Sequence, residues 1–306
     1  MHQHVWTEPL VDALGARTEL PFVRHEHGLT VLHLAGERPY VIDMEAEAPA
    51  RRSALVELDG LDRALVCLSS PLGIESLPRE QSQILIDAYH EGALALGEPF
   101  GVWGALALSQ PRADDVDRAL ERGCVGVSLP AGALAGVDAQ ARLGALLARL
   151  EQLHAPLLIH PGPAPGPPHG EPSLCDPLWW PALTRYIAEM HAAWLAFTVS
   201  GRRSHPALRV IFSMLAGLAP LHAERLARRG GPDACEPDPL VFYDTASYGG
   251  RAIGALAEVV GHSQLVYGSD RPVVELDGVA ATHGLDWELL ADSSSRALTG
   301  VTARAR

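Results

Sequence analysis

At 306 residues, with 47% hydrophobic and 20% charged side chains, the chain carries material for a large core and none of the compositional marks of global disorder. Its 24 basic against 37 acidic residues give a formal charge of -13, which opposes extended contact with nucleic-acid phosphates or anionic lipid and leaves a small molecule as the default partner. Every basic residue is Arg, and Lys and Asn are both absent, so Schiff-base chemistry, a P-loop ammonium and a carboxylated lysine bridging two metal ions are excluded.

In chain order, short apolar β-branched runs alternate with longer Ala/Leu/Arg segments of helical period, the pattern of repeated strand–helix units around a parallel sheet. The opening stretch from His2 to Trp6 supplies a first strand if it is extended, and Phe22 to Asp43 reads as a β-hairpin insertion. Further strands are expected at Ala64 to Ser69, Gly101 to Leu108, Cys124 to Leu129, Pro156 to His160, Arg209 to Ser213, Val241 to Asp244 and Gln264 to Gly268. Helices are expected at Arg79 to Leu96, Asp114 to Arg122, Ala139 to Leu153, Leu178 to Val199, Leu221 to Arg229, Gly250 to Val260 and Asp286 to Leu298. Eight strands with intervening helices favour closure into a single α/β domain over residues 1–306, a (β/α)8 barrel, since such a barrel needs about 250 residues plus loops. Gly162 to Pro177 is a Pro/Gly-rich loop after the fifth strand. Loops after barrel strands lie at the catalytic face, so both insertions, 22–43 above all, are expected to form a lid there, with Arg24, His25 or His27 turned to the pocket.

The four cysteines, Cys67, Cys124, Cys175 and Cys235, form no C-x-x-C pair and suggest reduced structural thiols. No apolar run approaches the roughly 18 to 20 residues of a membrane helix, and no basic-then-apolar leader opens the chain, so a cytoplasmic location without membrane partners is expected.

Three features carry the chemistry. In His2-Gln3-His4 the two-residue period of a strand turns both imidazoles to one face, here the barrel interior, where they could share one metal; the alternative is a pair of frayed surface histidines. His160 ends the buried run Pro156-Leu157-Leu158-Ile159 and stands at the strand tip that faces the site, unless it merely caps the strand. Asp270, in Gly268-Ser269-Asp270-Arg271-Pro272, lies just beyond the last strand and could equally start a turn. Together they offer three imidazoles and one carboxylate from the first, fifth and eighth strands, a ligand set for one divalent ion, zinc first and manganese second.

The motifs His2-x-His4-x-Trp6, Leu158-Ile159-His160-Pro161, His205-Pro206-Ala207-Leu208-Arg209-Val210, Phe242-Tyr243-Asp244-Thr245 and Tyr267-Gly268-Ser269-Asp270-Arg271-Pro272 resemble, in order and spacing, the amidohydrolase-related branch that contains aminocarboxymuconate-semialdehyde decarboxylase. The resemblance implies a metal held by His2, His4, His160 and Asp270, and a small carboxylated or carbonyl substrate. It also implies Asp270 as the residue that helps manage protonation and Arg52 as a carboxylate-binding arginine. Beside that role stand the neighbouring Arg51 and the plainer reading of a solvated helix start. Asp244 either lines the mouth next to substrate or bonds backbone amides. His205 shapes the turn into the sixth strand, and Trp179 and Trp180 either wall a pocket or anchor a helix in the core.

The chain departs from that branch in two places. Met1 directly precedes His2, where the branch has a longer first strand. After Arg209-Val210-Ile211-Phe212-Ser213 the branch places a proton-handling His and this chain has Met214, which would line the substrate cavity but transfers no proton; His222, His169, His25 and His27 are the substitutes within the sequence. The resemblance leans to metal-dependent decarboxylation over lactone or amide hydrolysis, and the missing His is the larger handicap for hydrolysis. A barrel that has lost catalysis and serves as a binding subunit is the reading of a different class. A homodimer is an open alternative to a monomer.

Overall fold

The computed structural model describes residues 1–166, 175–274 and 286–301. Its central layer is a seven-stranded all-parallel sheet made of β4 (Ala64–Val66), β5 (Phe100–Gly104), β6 (Gly126–Pro130), β7 (Leu157–His160), β8 (Val210–Phe212), β9 (Val241–Asp244) and β10 (Leu265–Val266), in sequence order across the sheet. The eighth place is taken by the extended N-terminal stretch. On one side Gln3 N donates to Leu65 O (2.8 Å) and Cys67 N to Gln3 O (2.9 Å). On the other, His4 N donates to Arg271 O (2.6 Å) and Asp270 N to His2 O (3.3 Å), so the two edges of the sheet are joined and the barrel is closed. Closure removes the unpaired strand edges that an open sheet would expose.

Strand alternation sorts the two cores. Leu65, Cys67, Trp103, Leu158, Ile211, Phe242 and Val266 cluster inside the barrel, while their neighbours Val66, Val102, Val127, Leu157, Ile159, Val210 and Phe212 belong to the larger core beneath the helices. The expected helices at Arg79–Ala95, Asp114–Glu121, Gly250–Val260 and Trp287–Thr299 are present, the last capped by the Asp286 side chain accepting from Glu288 N (2.8 Å).

Two other expected helices are divided, and the third, expected over 221–229, begins two residues late. Residues 139–153 divide at Leu143, just before Gly144, into Val137–Arg142 and Gly144–Gln152. Residues 178–199 divide at Thr184, whose Oγ1 donates to Trp180 O (2.7 Å), and change to π-helical pitch over Phe197–Gly201. Ahead of Ala223–Arg228 runs a tight turn, Met214–His222, in which Met214, Leu215, Ala216, Gly217 and Leu218 all have positive φ. Helices at Glu8–Gly15 and Pro49–Leu58 complete the set; both begin with Pro in the first turn, where its missing N–H is harmless.

The insertion over 22–43 is a three-stranded antiparallel sheet, β1 (Phe22–Glu26), β2 (Leu29–His33) and β3 (Tyr40–Ile42), one strand more than a hairpin. Among the described residues no helix is long and apolar enough to cross a membrane.

Candidate metal centre

His2 and His4 leave the first strand on its inner face, and the ladder Pro130↔His160 ends β7 with His160 on the inner face two residues above Leu158. Asp270 comes from the turn after β10, in left-handed backbone (φ 56°). One ligand atom from each of His2, His4, His160 and Asp270 lies within 4.8 Å of the others. The ring centroids stand 5.6 Å (His2 to His4), 5.3 Å (His2 to His160) and 4.9 Å (His4 to His160) apart, and Asp270 Oδ1 is 3.4 Å from His2 Nε2 and 3.3 Å from His4 Nε2. All three imidazoles are buried, which removes the reading of His2 and His4 as frayed surface residues.

The tautomers follow from the second nitrogen. His2 Nδ1 faces Asp244 Oδ2 (3.0 Å), His4 Nδ1 faces the Cys67 carbonyl oxygen (3.0 Å) and His160 Nδ1 faces the Pro161 carbonyl oxygen (2.9 Å). Carbonyl and carboxylate oxygens only accept, so each Nδ1 carries a proton, and Nε2 is the nitrogen each ring turns to the shared point, where its lone pair would bind an ion in the neutral form. An acceptor behind each imidazole is the arrangement by which metal-binding proteins fix ligand orientation and raise ligand basicity. Asp270 is anchored likewise, its Oδ2 accepting from Ser247 Oγ (2.8 Å).

The electrostatics call for a cation. Burial alone would lower the His2 pKa, but the carboxylates of Asp244 and Asp270 overcome it and push it up to about 10. For His4 burial is likewise overcome, by Cys67 and Asp270, again to about 10. His160, desolvated and facing two cationic rings, is held well below the ordinary imidazole range. Asp270 is pulled far below the usual carboxylate range by His2 and His4 against its own burial. Protons on two rings thus supply the charge that a divalent ion would supply in their place, and three nitrogens with one carboxylate oxygen suit zinc or manganese.

Asp244 is fully buried, with Oδ2 toward His2 and Oδ1 accepting from Ala246 N (2.9 Å). Its room depends on Gly268, because any Cβ there would fall within the Asp244 carboxylate. Of the two sequence readings, the backbone amide is thus present, together with a partner not foreseen, the His2 ring.

Arg52 is not brought to this cluster. It sits on the helix Pro49–Leu58 at 1% exposure, which excludes a solvated helix start. Its Nη1 bonds both Glu47 oxygens (3.0 and 3.3 Å), and its Nη2 donates to Gln3 Oε1 (3.0 Å) and to His4 O (2.8 Å). Gln3 points to the opposite face of the first strand from His2 and His4, so the guanidinium clamps the outside of the strand rather than reaching a ligand inside. Arg51 is exposed and paired with Glu45.

Met214 follows Ser213 at the end of β8, half-buried, in left-handed backbone (φ 42°). His222 and His191 form an edge-on pair with centroids 5.4 Å apart, and His191 Nε2 is 2.6 Å from Gly217 O, on the helix side of this turn. His169 lies outside the described residues, as does the Gly162–Pro177 loop over 167–174. His205 is buried in the turn that leads into β8, its Nδ1 3.7 Å from Glu151 Oε2. Trp179 and Trp180 are 56% and 44% exposed, so they are not core anchors.

In the insertion, Arg24 is turned back on its own segment, bonding Val23 O (2.6 Å) and Arg17 O (2.7 Å), while His25 and His27 are exposed. Glu37 in the same insertion pairs with Arg185 and accepts from Tyr186 Oη. These two residues open the helix Arg185–Ala196 that follows the fifth barrel strand, so the β2–β3 loop is tied to that helix.

Over residues 1–305 the sequence matches the family described as Amidohydrolase. The chain belongs to the amidohydrolase family. Solved structures with the same fold include the IDCase of Metarhizium anisopliae in its apo form, with TM-score 0.72 and 16% identity, covering 97% of this chain and 90% of that one. The 5-carboxyvanillate decarboxylase of Sphingomonas paucimobilis gives TM-score 0.64 at 15% identity, covering 98% of both chains. The Novosphingobium aromaticivorans 5-carboxyvanillate decarboxylase, in a D314N mutant structure with bound manganese and a nitrobenzoic acid, gives TM-score 0.62 at 20% identity, covering 81% of this chain and 78% of that one. A search of curated protein sequences found no match.

Proposed function

We propose that this amidohydrolase is a metal-dependent carbon–carbon lyase that decarboxylates a small carboxylated substrate at the His2, His4, His160 and Asp270 cluster. The observation that carries the proposal is the set of three imidazoles whose Nδ1 atoms are each held by an acceptor, with Asp270 converging on their Nε2 atoms. When bound there, a divalent ion would polarise substrate oxygen atoms as a Lewis acid. The chain's own share is to hold the ligands rigidly and to keep Asp270 ionised beside the site, where its carboxylate can accept a proton from the substrate and return that same proton to the carbon that loses CO₂. Bound manganese in a structural relative makes Mn²⁺ a candidate equal to Zn²⁺.

Decarboxylation is favoured over hydrolysis on two grounds. The structural relatives include decarboxylases of 5-carboxyvanillate and 2,6-dihydroxybenzoate. In addition, Met214 occupies the position at which a hydrolase of this kind would need a proton-accepting side chain, and a thioether supplies none. Arg52 is left out of the substrate site, since its guanidinium is engaged on the far face of the strand.

The test is metal analysis of the purified protein followed by CO₂ release from a panel of small aromatic and unsaturated acids. Near-stoichiometric zinc or manganese, with activity abolished by chelation and restored by the ion, is the expected result. A well-folded protein that binds neither ion would overturn the proposal in favour of a non-catalytic barrel. Turnover of lactones or amides without CO₂ release would favour hydrolysis, and Met214→His should then raise it by about 10²- to 10⁴-fold, the usual worth of a positioned general base.

A further inference from the structure

Level with the ring of ligands the barrel carries a polar group that the ligand set does not engage. Ser213 is fully buried, its Oγ has no hydrogen-bond partner among the described residues, and it comes just before Met214. Its place is fixed by the ladders. Phe212 pairs with Ile159 and with Tyr243, so Ser213 stands level with His160 on one side and Asp244 on the other. Ser213 N donates to Ile159 O (3.0 Å), which carries the ladder to that level. Ile211, two residues earlier, lies in the barrel interior, so by alternation the Ser213 side chain also points inward. Ser128, another buried hydroxyl without a partner, pairs with Leu158 and lies one layer deeper among apolar side chains, which sets it apart from the ligand layer.

We propose that Ser213 is a positioning residue of the metal centre, its hydroxyl donating a hydrogen bond to the oxygen of the non-protein ligand that completes the ion's coordination. This rests on the metal-site reading above. A buried hydroxyl without a partner is costly, and the contents of a loaded site supply the missing acceptor. A serine hydroxyl donates but takes up no proton near neutral pH, so with Met214 beside it Asp270 is left as the proton-handling group of the site. The same serine would hold an oxygen in place without activating a water for attack.

The test uses the metal alone. Mn²⁺ and Zn²⁺ affinities of the full-length protein, Ser213→Ala and Ser213→Thr are measured by competition with a chromogenic chelator, alongside the melting temperature of each metal-free protein. The expected result is a metal-free Ser213→Ala that melts at or above the parent temperature, because an orphaned donor has been removed. It should bind either ion about five- to tenfold more weakly, with Ser213→Thr recovering part of the loss. Unchanged affinity in Ser213→Ala overturns the inference, as does a lower metal-free melting temperature, which would show that the hydroxyl already has a protein partner. If the parent protein itself binds neither ion, the proposed function fails and this inference with it, whereas parental binding with an indifferent alanine variant sinks the serine role alone.

Discussion

Replacing Arg52 separates two roles for one side chain. In Arg52→Met the aliphatic volume is largely kept, but Glu47, at 6% exposure, loses its counter-charge, and Gln3 Oε1 and His4 O lose a donor each. Among the described residues Glu47 then retains only Trp6 N (2.9 Å). Removing one member of a buried ion pair costs about 3–5 kcal/mol, chiefly through the charge left behind. At roughly 2–4 °C per kcal/mol for a domain approaching this size, the melting temperature should fall by about 10 °C. The pair clamps the strand that bears His2 and His4, so metal affinity should fall with it. Thermal melts followed by circular dichroism, with and without Mn²⁺, measure both effects. The double variant Glu47→Gln/Arg52→Met should recover a good part of the lost stability, because the uncompensated carboxylate is gone. An Arg52→Met protein that melts within about 2 °C of the parent and shows only a raised KM for a carboxylated substrate would refute the clamp and return Arg52 to the substrate site.

Two further outcomes follow from particular residues. Asp244→Asn removes the carboxylate behind His2 and should weaken Mn²⁺ binding about 10- to 100-fold, measured by chelator competition, with little change in the fold. Glu75 is fully buried, its pKa pushed up to about 7 by burial against the opposing hydrogen bond from Ser70 Oγ (2.5 Å). A carboxyl whose folded pKa is raised contributes stability that is fully present below its unfolded value and is lost as pH rises through about 7. Relative to Glu75→Gln, the parent should therefore lose roughly 3 kcal/mol between about pH 4.5 and 7.5, seen in denaturant melts across that range; parallel stability curves for the two proteins would contradict the assignment.

The sequence alone determined the strand–helix alternation, since apolar runs such as Leu157-Leu158-Ile159 are long enough to bury a strand on both faces and their spacing leaves room for a helix between each pair. It also determined the inward direction of His2, His4 and His160, because a two-residue period fixes facing once a segment is known to be extended. What it left undecided depended on chain closure. His2–His4 became a strand only by bonding at once to Leu65 and Cys67 and to Asp270 and Arg271, residues more than 60 and 260 positions away, and no local pattern encodes that junction. Arg52 reads identically in sequence whether it faces substrate or the back of a strand; the choice was made by the buried carboxylate of Glu47 and the outward side chain of Gln3. The acceptors behind the imidazoles, two of them backbone carbonyls of Cys67 and Pro161, carry no side-chain signature, and the left-handed turn from Met214 to Leu218 holds four residues that ordinarily avoid such backbone. Local chemistry thus named the candidate ligands, and only the closed barrel, by bringing both edges of the sheet to one strand, decided what holds them in place.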